Sequence, residues 1–362
     1  MRLQLMNNMN PKNGESSLKV ITCASYYGTG SSAIGDIVSE FDSVTYTSDY
    51  EVSFLHCMYG ISDLEYYLID NPHRHNSSLA LKNFMHLSKV LTGNALFKKN
   101  NFYFNNQWKK LSEEFISSLY INSYYSSSFF DSFWFPRWFY YFMRIVYKVL
   151  GLDFMKGEIH YVPVSDEKAF LTSIQRFMEK LLDSLTVETE YIYIDQLFPS
   201  SNITKVSRYI NTPVFTFIVD RDPRDLYLLD KHVWKSGIVP TATAQEFCAW
   251  FKRSRITQQK ELRNEQVLLI KFEDLIYKYN DSLDKIASFA SIDMKSHNNQ
   301  LKKFDPLTSI NNTRLWETYT QDKEDIKIIE AELSDYLYPY TDEDIAFFRE
   351  QVTDNNNKPK IF

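Results

Sequence analysis

Three short stretches carry the residues best suited to chemistry. The first is Ser25-Tyr26-Tyr27-Gly28-Thr29-Gly30-Ser31-Ser32-Ala33-Ile34. A Gly- and Ser-rich turn that enters a helix gathers backbone N–H groups at the positive end of the helix dipole. Such a turn holds a phosphate or sulfate without any basic side chain. Ser31 and Ser32 add hydroxyl donors. The second stretch is Asp220-Arg221-Asp222-Pro223-Arg224-Asp225-Leu226-Tyr227. Asp222 is a good N-cap and Pro223 a good first helical residue, so a helix starts here. Arg221 then stands just ahead of it, where a guanidinium can clamp a second phosphate through two parallel hydrogen bonds. The third is Leu268-Leu269-Ile270-Lys271-Phe272-Glu273-Asp274-Leu275, an apolar run closing on two acids that can cap a following helix.

The first stretch alone leaves several chemistries open. A nucleoside triphosphate enzyme would use GxxxxGK[ST], and no Lys is present. A dinucleotide fold would use GxGxxG/A, which Gly28, Gly30 and Ala33 satisfy, with Asp49 as the ribose acid. An ordinary strand-to-helix turn with a Ser cap also fits. In the second stretch, Asp220 and Asp222 could form the metal-binding DxD of a nucleotide-sugar glycosyltransferase.

These stretches need a scaffold, and the apolar runs supply one. Residues 18–24 (LKVITCA), 191–194 (YIYI), 214–219 (VFTFIV) and 267–272 (VLLIKF) have strand character, and 44–47 reads as a further strand. Long helical patterns lie between them, as at 166–185 and 244–262. Short strands alternating with helices predict an α/β fold, a parallel β-sheet flanked by helices, with ligands beyond the carboxyl ends of the strands. Residues 18–320 read as one α/β domain, within which 52–190 form a large, mainly helical insertion. Residues 321–362 read as a C-terminal helical extension ending in a loose polar tail.

Composition sets the limits. The chain has 362 residues, 44% hydrophobic and 24% charged, with 27 Phe, 25 Tyr and 6 Trp. A disordered chain and a disulfide miniprotein are excluded. The net charge of −6 argues against a general nucleic-acid binder, so an anionic ligand must be held by a local donor cluster. Cys23, Cys57 and Cys248 lie far apart, without metal-ligand spacing, and read as reduced thiols of a cytoplasmic protein. No signal peptide is expected. Residues 129–150 (FFDSFWFPRWFYYFMRIVYKVL) are half aromatic, but Asp131, Arg137, Arg144, Lys148 and Pro136 exclude a membrane span. The segment reads either as a helix packing its aromatics into the core or as an amphipathic patch meeting a membrane surface or a lipid-linked acceptor.

Taken in this order, the three stretches resemble the sulfotransferases that use 3′-phosphoadenosine 5′-phosphosulfate (PAPS). In that family a strand–loop–helix binds the 5′-phosphosulfate, an RDPRD-type turn binds the 3′-phosphate, and a "YEDL" strand end follows. The matching residues here are Thr29 to Ala33, Arg221 to Asp225 and Phe272 to Leu275. The resemblance implies a P-loop-like sulfotransferase fold. It also implies PAPS as a small-molecule nucleotide co-substrate held by Gly28, Thr29, Gly30, Ser31, Ser32, Ala33, Arg221 and Arg314, with no metal. The implied reaction is sulfuryl transfer to a hydroxyl, and glycan-modifying members point to a carbohydrate acceptor.

The departures from the family pattern carry their own expectations. Many relatives have a Lys or Arg where Gly28 stands, so the cation must come from elsewhere, with Arg74 and Lys82 as candidates and Lys231 behind them. A Ser of the family becomes Leu229, and Phe272 keeps the aromatic face of the usual Tyr without its hydroxyl. The loss of two donors also makes a nucleotide binder without transferase activity conceivable. Glu51, following the second strand, is the expected base, with His56 as alternative; Ser31 and Arg74 complete the expected catalytic set. His73 and His75 flank Arg74 and could meet the acceptor, while Arg314 and Trp316 could close over the nucleotide.

Overall fold

The computed structural model describes residues 18–47, 51–92, 104, 106–127, 136–151, 156–162, 166–185 and 187–354. Asp49, the 129–135 part of the aromatic segment and the tail from 355 lie outside them. Seven strands are present among the described residues: β1 (Lys19–Cys23), β2 (Val44–Tyr46), β3 (Asn122–Ser127), β4 (Lys156–Tyr161), β5 (Tyr191–Tyr193), β6 (Val214–Asp220) and β7 (Val267–Lys271). Five form one sheet in the order β2-β5-β1-β6-β7, and every pairing in it is parallel. The short apolar runs thus become strands of a parallel α/β sheet.

Both faces of this sheet are covered, which is why its central strands are mostly apolar. On one face helix α1 (Ser31–Val38) and helix Tyr279–Ala290 pack Ile34, Ile37, Val38, Ile286 and Ala287 against Ile21, Tyr193 and Val219. On the other, helices of the insertion contribute Leu81, Phe84, Phe115, Phe177 and Met178. A third cluster joins Leu226–Leu229 to Phe247, Phe251, Ile326 and Ile329. Leu229 is buried in that cluster and so serves packing.

Two features depart from the sequence pattern. The insertion holds an antiparallel pair, β3 with β4, as well as helices. The helical run at 244–262 breaks into Ala244–Ser254 and Gln258–Glu261. At the break Arg255 turns inward, its Nη2 donating to Asp220 Oδ1 at 2.6 Å, and its guanidinium lies 3.4 Å from the Phe251 ring centroid. The C-terminal helix Lys323–Glu332 and the turn after it are fastened onto the 220–231 segment. Arg224 donates to Glu330 at 2.9 Å, Tyr227 to Asp325 at 2.7 Å, and the Tyr338 N–H to Asp222 at 3.0 Å.

Candidate active site

From β1 the chain runs through α1 to β2 on one side of the sheet, whereas β6 leads on to β7 on the other. The ends of β1 and β6 therefore flank a topological switch point, the crevice where open parallel sheets bind ligands. Both expected anion-binding stretches open into it. Gly28 and Gly30 have φ of +66° and +106°, a region that side chains with a Cβ rarely adopt. Contact closes the argument at both positions. A Cβ on Gly28 would meet Trp234 Cζ3 at 2.5 Å, and one on Gly30 would meet Phe272 Cδ2 at 2.5 Å. No side chain caps α1, which leaves the Ser31 and Ser32 N–H groups to an anion. Thr29 is buried and ties the loop, its Oγ1 accepting from the Tyr26 N–H at 3.4 Å, and the Ala33 N–H donates to Gly30 O at 3.1 Å.

Arg221 is buried at the β6 side of the crevice, 2% exposed. Its guanidinium stacks 4.2 Å from the Phe272 ring centroid. Nη2 donates to Asn312 O, and Nη1 reaches Gly28 O at 3.5 Å. Nε has no hydrogen-bond partner among the described residues, nor has Asn312 Oδ1. Burial lowers the Arg221 pKa, while Asp225 and Glu273 oppose that shift.

The acids of both motifs brace this turn. Glu273 accepts from the Asp222 N–H at 2.8 Å. Asp222 caps its helix and receives Arg224 Nη2 at 2.7 Å. Asp225 accepts from the Arg314 and Leu315 N–H groups at 3.0 and 2.8 Å. Burial, reinforced by neighbouring acids, pushes Glu273 up to about 8 and Asp225 up to about 7.

A cavity of about 350 Å³ joins the start of α1, Arg221 and a loop segment from Lys303 to Asn312. That volume lies within the range of small-ligand sites. Three charged residues that sequence reasoning did not assign line it: Asp36, on the second turn of α1, Lys303 and Asp305. Burial pushes Asp36 up to about 6 against the pull of Lys303. Lys303 Nζ also lies 5.9 Å from the Tyr46 ring centroid.

On the β2–β5 side of the loop a second group gathers at the same sheet edge. The Val52 N–H donates to Asp195 O at 2.9 Å, the His56 ring Nε2 is 3.1 Å from Gln196 O, and Gln196 Nε2 donates to Ser25 Oγ at 2.9 Å. Glu51 is exposed there and interacts electrostatically with both His56 and Asp195. Asp195 receives the Tyr193 hydroxyl at 3.0 Å; burial pushes its carboxyl up to about 6, with Tyr193 pulling the other way. Burial pushes His56 down. Sequence reasoning missed Asp195, although its place directly after the YIYI run was the signal for it.

Gly28, Gly30, Ser31, Ser32, Ala33 and Arg221 thus line one cavity, while Glu51 stands at the sheet edge outside its lining. Arg74 lies elsewhere, exposed at the start of helix Arg74–Leu91 with Nη2 on His75 Nε2 at 2.9 Å. Lys82, on the same helix, does not line the cavity, and Lys231 is engaged by Asp322 and Asp325 at 2.6 and 2.7 Å. Arg314 backs the wall instead of lining it, paired with Glu317 and 4.9 Å from the Tyr340 ring centroid. Asp220 and Asp222 do not converge as a DxD pair. Burial alone would raise Asp220, but Arg255 and Lys271 hold it below the usual carboxylate range, and Asp222 is consumed by its cap and Arg224.

No family model matches the chain, and no curated protein does. Among solved structures the chain is similar to a retinol dehydratase in complex with androsterone and the inactive cofactor PAP, with 13% sequence identity and a TM-score of 0.32 over 89% of this chain and 82% of that one.

Proposed function

We propose that the protein is a sulfotransferase that moves a sulfuryl group from PAPS to a hydroxyl of an acceptor, with a carbohydrate as the acceptor class. The observation that carries the reading is the shared cavity. An uncapped helix start and a buried arginine with a free Nε–H open into one space, at the switch point of a parallel sheet. The two centres suit the two anionic groups of one nucleotide. The orphaned Asn312 Oδ1 adds a polar atom awaiting a partner, and the glycine contacts with Trp234 and Phe272 let the loop backbone approach closely. The residues present therefore fit the co-substrate.

In the net step the acceptor oxygen bonds to sulfur, the bond from sulfur to the 5′-phosphate oxygen breaks, and the hydroxyl proton passes to a carboxylate. The α1 N–H groups with the Ser31 and Ser32 hydroxyls stabilise charge on the departing phosphate. Arg221 clamps the 3′-phosphate and Lys303 supplies the positive charge the loop lacks. Neither Arg74 nor Lys231 is retained for that role, and Arg314 acts by fastening the closing segment to Asp225. Glu51, with Asp195 beside it, takes the proton. The carbohydrate assignment rests on resemblance to glycan-modifying members.

The test is calorimetric titration with 3′,5′-adenosine bisphosphate beside AMP, NAD and UDP, with and without a chelator. Tight binding of the bisphosphate and weak binding of AMP are expected. Binding of UDP only with metal present would overturn the reading. In single-turnover assays Glu51→Gln and Asp195→Asn should leave nucleotide binding intact and slow transfer; an unchanged rate in the double variant would remove both as base.

A further inference from the structure

Helix Arg137–Leu150 carries no buried residue along its fourteen positions, unlike every other described helix of eight residues or more. Its sequence, RWFYYFMRIVYKVL, has three basic residues and no acid. At about 100° per residue, Arg137, Arg144 and Lys148 line one edge. Beside that edge a set of apolar side chains stands in solvent: Trp138 is 67% exposed, Phe142 53%, Ile145 59%, Val149 74% and Leu150 62%, whereas Phe139, Tyr140, Met143 and Val146 on a further side are half-buried. The five exposed side chains are not core, because none of them is buried.

We propose that this helix docks on an anionic lipid surface, lying in the plane of the interface. Three observations select that occupant. The stripe is purely cationic, with no acid on the helix, so it complements negative headgroups. The exposed rings of Trp138, Tyr141 and Tyr147 are of the kind that settle at the headgroup level, and the basic edge they flank completes an interfacial helix. The helix is too short to cross: no helix among the described residues is long and apolar enough to span a bilayer. The strands that precede and follow it in sequence, β3 and β4, expose Tyr125 (76%) and Tyr161 (49%), adding apolar surface of the same kind. The inference goes beyond the transferase reading and stands without it.

The experiment is flotation of the full chain with vesicles of phosphatidylcholine alone, or of phosphatidylcholine with about a third phosphatidylglycerol. Partitioning onto the anionic vesicles should be roughly 100-fold stronger and fall steeply with added salt. Trp138→Ser with Ile145→Ser should abolish it, while nucleotide titration of that variant stays at the wild-type value. Reversing the charge of Arg137, Arg144 and Lys148 to Glu should lower anionic-vesicle binding to the phosphatidylcholine level. Absence of flotation with both vesicles overturns the proposal. So does a stable dimer in light scattering that Trp138→Ser with Ile145→Ser dissociates, because a second copy would then cover the face.

Discussion

Replacing Arg221 with Lys separates what the guanidinium does for the ligand from what its charge does for the fold. Arg221 is fully enclosed, stacked on Phe272 and flanked by Asp225 and Glu273. Arg221→Ala would leave that buried acidic cluster without its cation, at a cost of about 3 kcal/mol in stability that would obscure any effect on binding. Lys keeps the charge but loses the planar fork, and with it the donation to Asn312 O and the free Nε–H. One charge-assisted hydrogen bond to phosphate is worth about 1.5–3 kcal/mol, of which a lysine ammonium recovers part. The net loss should be about 1.5–2 kcal/mol, roughly a 10- to 30-fold weaker Kd for 3′,5′-adenosine bisphosphate. AMP, without a 3′-phosphate, should bind the variant within about twofold of its wild-type affinity. Calorimetric titration of both proteins with both nucleotides reads the difference directly. Equal weakening toward AMP and the bisphosphate would show that Arg221 shapes the cavity and does not read the 3′-phosphate, which refutes the clamp.

Three further outcomes follow from the same geometry. Lys303→Met should preserve the melting temperature, since Lys303 belongs to a cavity wall, yet weaken bisphosphate binding by about tenfold, as seen by titration at low salt. Gly30→Ala places a Cβ at φ +106° and 2.5 Å from the Phe272 ring; stability should drop by about 2 kcal/mol in denaturant melts, with nucleotide affinity lost alongside. Glu273→Gln keeps the acceptor for the Asp222 N–H but removes the titration. Because burial raises the Glu273 carboxyl from its ordinary value to about 8, the native state binds the extra proton in between, so wild-type stability falls as pH rises from about 4.5 toward 8. The melting temperature of the Gln variant should therefore decline less than that of wild type between pH 5 and pH 9, and parallel curves would remove Glu273 as the source.

What the sequence made legible was local, and what it hid was brought together by the sheet. Each apolar run of the main sheet is a few residues long and ends directly in turn chemistry, so LKVITCA before YYGTGSS and VFTFIV before DRDPRD announce both strand and site within one window. Polar strands give no such signal. β3 is NSYYSS and β4 is KGEIHY, and they pair because each satisfies the other's backbone, not because either is apolar. The break after Ser254 is equally silent, since helix propensity continues through RSRITQQK and only the end of β6 supplies the carboxylate that draws Arg255 inward. The missing cation shows the same division most sharply. The sequence offers Arg74, Lys82 and Lys231 for that charge, and none of them lines the cavity. Lys303 instead reaches the cavity because the segment 303–312 is fixed at both ends: Glu40 accepts the Lys303 and Phe304 N–H groups at 2.8 and 3.0 Å, and Arg221 holds Asn312 O. Glu40 lies just beyond α1 and Arg221 just after β6, so the two stretches of the proposed anion site also draw in the lysine proposed to complete its charge.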